Sequence, residues 1–366
     1  MSVLSQINGR IRLIVGLALC ALSACCAPRV TGLGEDSVNP VEVLERSPRI
    51  YHIRFEGFAD SLETELAAAY LKGGLDTEFV ATAPDTSGSE DVSDRVLARI
   101  EFYKAVKRLR GGAGRASLDH IRRSMELDPG HQPSYVFLGN LLLAQGRVTD
   151  ALDLFRRVLT WNPVNSEALV GLGRAYMFVG EPDSARSALV DAVIYNRTNL
   201  EAWRNLHILG SLQEFTVADH DIHVLAYTRE DRGRHYDLVI DESLEDCPSL
   251  ATAWIVFASQ RAVWRYEDKF KRTLGITKYR RTYQEDIDCF MALAAAWRIL
   301  SEGDSTVCEG EDLDHMSKMA QDGYLVPHVL FDYVCLEQPL AARNFRAEVI
   351  DQMREYVNDY VLVTGG

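Results

Sequence analysis

The residues of this chain whose types could do chemistry are its nine histidines and the run Asp219-His220-Asp221-Ile222-His223. Imidazole and carboxylate groups hold divalent metals, and histidines at i and i+3 share one side of a helical turn. Nothing else in the sequence completes such a site. There is no His-Glu-x-x-His and no Cys-x-x-Cys, so the run reads as solvated polar residues of a loop. Nucleophile elbows, phosphate loops and dinucleotide fingerprints are also missing. The cluster Gly111-Gly112-Ala113-Gly114 lacks the Lys-Ser/Thr that a phosphate cradle needs. The acidic group Glu285-Asp286-Asp288 reads as helix-surface charge. The expectation is a protein without metal or other cofactor, and not an enzyme.

Cysteine is the next reactive type. There are seven, and Cys247, Cys289, Cys308 and Cys335 all lie in the last third of the chain. Four cysteines in an exported chain are disulfide candidates with three connectivities. The alternative is buried thiols acting as small apolar groups. Cys25 belongs to a different pattern. Arg10 and Arg12 precede a short apolar run over residues 13–22, followed by Leu22-Ser23-Ala24-Cys25. A basic start, a brief apolar stretch and small residues mark an export leader, and the run is too short to span a bilayer. The tetrapeptide resembles the bacterial lipoprotein signal. That resemblance implies cleavage before Cys25 and acylation of its thiol and amine. An ordinary leader cut after Ala24 or Ala27, or an uncleaved anchor, is the alternative. Cys26 is not the aspartate that retains some lipoproteins in the inner membrane, so the outer membrane is favoured.

The elements that must carry any function are helices. Gly139 recurs as Gly173, Gly146 as Gly180 and Ala151 as Ala185, each 34 residues on. Within one period, Tyr135, Leu138, Gly139 and Leu142 make one helical stripe, and Ala151, Phe155 and Val158 make a second. Gly146 supplies the turn between them, and Asn162-Pro163 ends the second helix. The next period repeats the pattern with Leu169, Leu172, Gly173, Tyr176, Gly180, Ala185, Leu189 and Ala192. These residues resemble the tetratricopeptide repeat family. The resemblance implies an all-α fold, a solenoid of helical hairpins, with additional helices toward the C-terminus. Weaker units flank the two clear ones. Upstream, Ser117, Ile121, Ser124 and Pro129 mark a second helix; downstream, Trp203 and Leu206 restart a first helix, and an insertion over about 214–234 follows.

Division by composition gives a leader at 1–24, a tether at 25–47, a helical cap and linker at 48–93, repeats at 94–233 and a C-terminal helical domain at 234–366. Tyr51, Ile53 and Phe55 alternate, but with no strand partner nearby they read as an extended segment against the first helices. The formal charge of −14 argues against nucleic acid as a ligand. In the repeat family the first helix of each hairpin lines the concave face. The register transfers that role to Val136, Asn140, Leu143, Val170, Arg174, Met177, Glu201 and Arg204. Asparagine pairs with extended backbone and arginine forks a carboxylate, so a peptide or acidic tail is the implied partner. The alternative is a solvated inner face with the partner elsewhere. The function expected is a lipid-anchored interaction scaffold facing the periplasm of a bacterial envelope. The other reading is an enzyme or small-ligand receptor, which a pocket near residues 219–223 or between the C-terminal helices would favour.

Overall fold

The computed structural model describes residues 43–44, 47–57, 92–218, 220, 222–273, 279, 281–301 and 310–364. The leader, Cys25, most of the tether and the segment 60–72 lie outside them. The chain divides into two units, each assembled from separated stretches. One takes residues up to 77 and 220–334; the other takes 78–219 and 335–366.

The repeat unit is a stack of helical hairpins: α1 (Val92–Arg110) with α2 (Gly114–Leu127), α3 (Gln132–Ala144) with α4 (Val148–Trp161), and α5 (Ser166–Val179) with α6 (Pro182–Tyr195). Then α7 (Leu200–Gln213) starts a further hairpin. Each helix packs on the next in sequence. Asn165 and Asn199 cap α5 and α7 by accepting from backbone N–H groups of the first turn. The same asparagines stitch periods together: Asn165 Nδ2 donates to Gln132 Oε1 at 3.0 Å, and Asn199 Nδ2 to Ser166 Oγ at 2.8 Å. Around Phe155 the packing is tight because its neighbours are glycines. A Cβ on Gly139 would stand 2.6 Å from the Phe155 ring, and one on Gly171 2.3 Å. One period on, a Cβ on Gly173 would meet Leu189 in the same way, at 2.7 Å, so the 34-residue spacing is a packing rule as well as a sequence rule.

Two features differ from the sequence expectation. The hairpin opened by α7 is not closed by a following helix. The chain turns instead into β2 (Phe215–Val217), which pairs antiparallel with β5 (Leu362–Thr364) from the far end of the chain. Before β5, α13 (Ala347–Tyr356) lies against α6. Arg354 Nε bonds Asp191 Oδ1 at 2.6 Å and Arg186 Nε bonds Asn358 Oδ1 at 2.8 Å. Met353, Tyr356 and Val361 are buried. The segment 335–364 thus belongs with the repeats, not with a separate domain running from 234.

The second unit is helical with a small mixed sheet. β1 (Ile50–Glu56) runs parallel to β4 (His235–Asp241), with Ile53 opposite Leu238, and β3 (Ala226–Glu230) lies antiparallel on the other side of β4. The alternating Tyr51, Ile53 and Phe55 are therefore a true strand. Their partner lies so far along the chain that no local pattern announces it. On one face Arg229 forks to Glu56 at 2.6 and 2.7 Å and reaches Asp237 at 3.0 Å. Behind the sheet stands α8 (Pro248–Tyr266), in contact with α10 (Tyr283–Ser301). A short α9 (Asp268–Thr273) follows α8; α11 (Glu311–Asp322), α12 (Leu325–Val329) and a π-helical turn (Leu330–Val334) complete the unit.

Candidate functional site

Curvature follows from which helices meet. The first helices touch along the stack, α3 with α5 and α5 with α7, more closely than the second helices α4 and α6 do. The stack therefore bends toward the first-helix side. Five of the eight residues expected there are accessible. Asn140, Arg174 and Met177 are half-buried, and Glu201 and Arg204 are exposed. Arg174 Nη1 donates to Asn140 Oδ1 at 3.3 Å, a bond between equivalent positions of adjacent units. Arg204 stands 3.8 Å from Glu201 with its side chain 73% exposed, so its charge remains available to a ligand.

The other three are corrected. Val136, Leu143 and Val170 are buried. Val136 and Leu143 join the cluster around Phe155, Ala151 and Val158. The reason is that α3 is apolar almost all round, and such a helix is covered on more than one side. Register from a family pattern cannot separate inward-facing from core-facing residues on a helix of that kind.

Three exposed apolar residues were missed. Phe178 is 64% exposed and Leu212, one period later, 70%; Ile208 is 45% exposed and takes the place that Arg174 holds in the previous unit. Large apolar side chains recurring in the open at the repeat spacing are a surface feature, not a core feature. Their signal was the 34-residue offset itself, applied to the ends of the first helices.

The other chemistry-bearing residues fall in the second unit. Glu285 and Asp286, read from sequence as surface charge, are buried. Arg261 Nη1 donates to Glu285 Oε1 at 3.2 Å and to Asp286 Oδ1 at 2.7 Å. Arg281 donates to Asp286 at 2.9 Å and to the hydroxyl of Tyr333. Tyr279 donates to Glu285 Oε1 at 3.0 Å. Burial pushes the Glu285 carboxyl up to about 7, against the pull of Arg261. Two guanidinium groups against two carboxylates make a self-neutralising clasp between α8, α10 and the π turn.

The His220 ring lies 3.9 Å from that of His315, nearly parallel, and His315 meets His328 edge-on at 5.1 Å. His328 Nδ1 and Asp332 Oδ2 are 3.0 Å apart. Burial, with His220 and His328 alongside, holds the His315 ring down to about 4. Asp219 and Asp221 lie outside the described residues. Among the described residues no three His, Cys, Asp or Glu groups converge as metal ligands. Cys247 is disulfide-bonded, while Cys289 and Cys335 are buried. Cys308 lies outside the described residues.

Known proteins resemble part of this chain. Residues 142–207 match the tetratricopeptide repeat family model. BBSome complex member BBS4 of Bos taurus is 27% identical over 109 residues, which is 30% of this chain and 20% of that protein. Protein O-mannosyl-transferase TMTC3 of Homo sapiens is 29% identical over 82 residues, 22% of this chain and 9% of that protein. The chain thus spans a fifth or less of these relatives. The crystal structure of MamA protein aligns with 65% of this chain and 95% of its own at 13% identity. Its TM-score of 0.28 is too low to carry an argument.

Proposed function

We propose a function from one premise: the chain is a tetratricopeptide-repeat protein. Its role is that of a protein-interaction scaffold, and its working surface is the first-helix side of α3, α5 and α7. One observation supports this above others. That side combines Arg174, tied to Asn140, and the exposed Arg204 with the exposed Phe178, Ile208 and Leu212. A guanidinium fork beside apolar anchors suits an extended peptide or tail carrying a carboxylate. The chain as a whole is acidic, but residues 92–213 carry 16 Lys and Arg against 12 Asp and Glu, a balance that favours an acidic segment at the repeats. BBS4, by its name a member of a complex, is consistent with assembly as the use of such repeats. The 9% of TMTC3 that aligns is no ground for a transferase activity.

The scaffold is held at a membrane through Cys25, whose lipoprotein-like signal supports a lipid anchor in the bacterial envelope, the outer membrane favoured. Several acyl chains on one residue give lasting attachment where a single chain does not. Crosslinking in membranes with mass spectrometry of the captured proteins tests the groove. Arg174→Glu with Arg204→Glu is expected to abolish capture while circular dichroism stays unchanged. Capture that survives the double reversal refutes the groove.

A further inference from the structure

The second unit holds a cavity of about 320 Å³ where the irregular segment 222–225 meets α8 and α11. Its wall is mostly apolar: Ile222, Leu225, Leu250, Trp254, Leu313 and Met316. Gly310 closes one side. A Cβ there would stand 2.8 Å from the Trp297 ring and 3.1 Å from Leu250, so this wall tolerates only glycine without shifting. Two polar side chains also line the cavity, His223 and Asp312, both exposed and so at its mouth. Trp254 is 2% exposed.

We propose that this cavity binds a small organic cation, an apolar or aromatic body bearing one protonated amine. Volume sets the size. About 320 Å³ lies at the lower end of the range for ligand sites, room for a small ligand. Charge sets the sign. Among the described residues that line the cavity Asp312 carries the charge and there is no Lys or Arg, so an anionic ligand finds no counter-charge from them. The wall sets the body. Leu, Ile and Met side chains reward buried carbon and penalise unpaired hydroxyls, which disfavours sugars. Trp254 adds an aromatic face to which a cation is attracted. The repeat groove plays no part in this site.

The full chain is titrated by calorimetry with 2-phenylethylamine, 2-phenylethanol and 3-phenylpropanoate. The amine is expected to saturate, the alcohol to bind about tenfold more weakly and the anion to show no binding. Asp312→Asn, a change at an exposed position, is expected to weaken the amine about tenfold and leave the alcohol unaltered. Leu225→Trp, filling the cavity from its half-buried rim, is expected to remove binding of both. Three results overturn the proposal. One is an amine that does not saturate by about 10 mM. Another is an anion that binds as tightly as the amine, or an Asp312→Asn protein with the amine affinity of the parent. The third is a Leu225→Trp protein with an unchanged thermal midpoint that still binds.

Discussion

Glu214 is the one non-glycine with positive φ among the described residues, at 59°. Gly112, Gly146 and Gly180 have φ of 77°, 77° and 76°, and the four positions are spaced by one repeat period. Glu214 thus takes the fourth turn position, where α7 ends, carrying a Cβ where its three equivalents carry none. Left-handed backbone costs such a residue about 1 kcal/mol, so Glu214→Gly is expected to stabilise by up to that amount in denaturant melts. The reverse holds at Gly171, whose added Cβ would meet the Phe155 ring at 2.3 Å. Gly171→Ala is expected to destabilise by about 1–3 kcal/mol, read from the same transition. Titration acts at this scale too. Glu285, pushed up to about 7, binds its proton more tightly folded than unfolded, so its contribution is full at low pH and fades as pH rises from about 4.5 to 7. His315, held down to about 4, works in the opposite sense: its contribution is full above about 6.5 and fades as pH falls toward 4. The two windows overlap from about 4.5 to 6.5, where the contributions offset, so the thermal midpoint is expected to be nearly level there and to fall near pH 4 and between about 6.5 and 7; Glu285→Gln is expected to remove the alkaline fall and to uncover a continuous rise from about pH 4 to 6.5. An alkaline limb as steep as the parent's in that variant would place its origin elsewhere.

At the level of elements, α13 is the piece that depends most on distant chain. Tyr356 is fully buried, and Arg354 and Asn358 reach α6. Tyr356→Ala is expected to cost about 3 kcal/mol. Faster amide exchange should then appear in α6 and in β2, whose partner β5 follows α13. Exchange that quickens only within residues 347–364 would mean that the segment is an appendage. The helices α1 to α7 were readable because each is specified by near neighbours: Gly139 against Phe155, Asn165 against Gln132, a glycine at the turn of each closed hairpin. The pairing of β1 with β4 was not. Tyr236 to Ile240 form the buried run of a central strand, but a parallel partner is set by chain-wide topology, which local periodicity does not encode. The groove was half readable. Asn140, Arg174 and Arg204 stand on accessible first-helix positions, whereas Val136, Leu143 and Val170 were lost because a helix apolar on several sides has no single inner face. The buried Glu285 and Asp286 escaped for a related reason: their partner Arg261 lies one helix away, and only burial distinguishes the clasp from surface charge.

For the whole molecule, the anchor is the first question. Cys25→Ser is expected to shift the protein from the detergent phase to the aqueous phase of a partition experiment, with the leader left attached. A variant that stays in the detergent phase, beside a parent with no lipid mass, would remove Cys25 as the anchor. The second question concerns time. Each unit is built from two stretches of chain, and the later stretch of the repeat unit is made only after residues 220–334 of the other unit. A ribosome adding about 5–20 residues per second takes roughly ten to thirty seconds to pass from Tyr195, the end of α6, to Val361. Throughout that interval the face of α6 that α13 will cover stands open to water and to other chains. Nascent chains of this protein are therefore exposed to mispairing for longer than a repeat array finished by its own next hairpin, and a chain stopped before Cys335 never leaves that state.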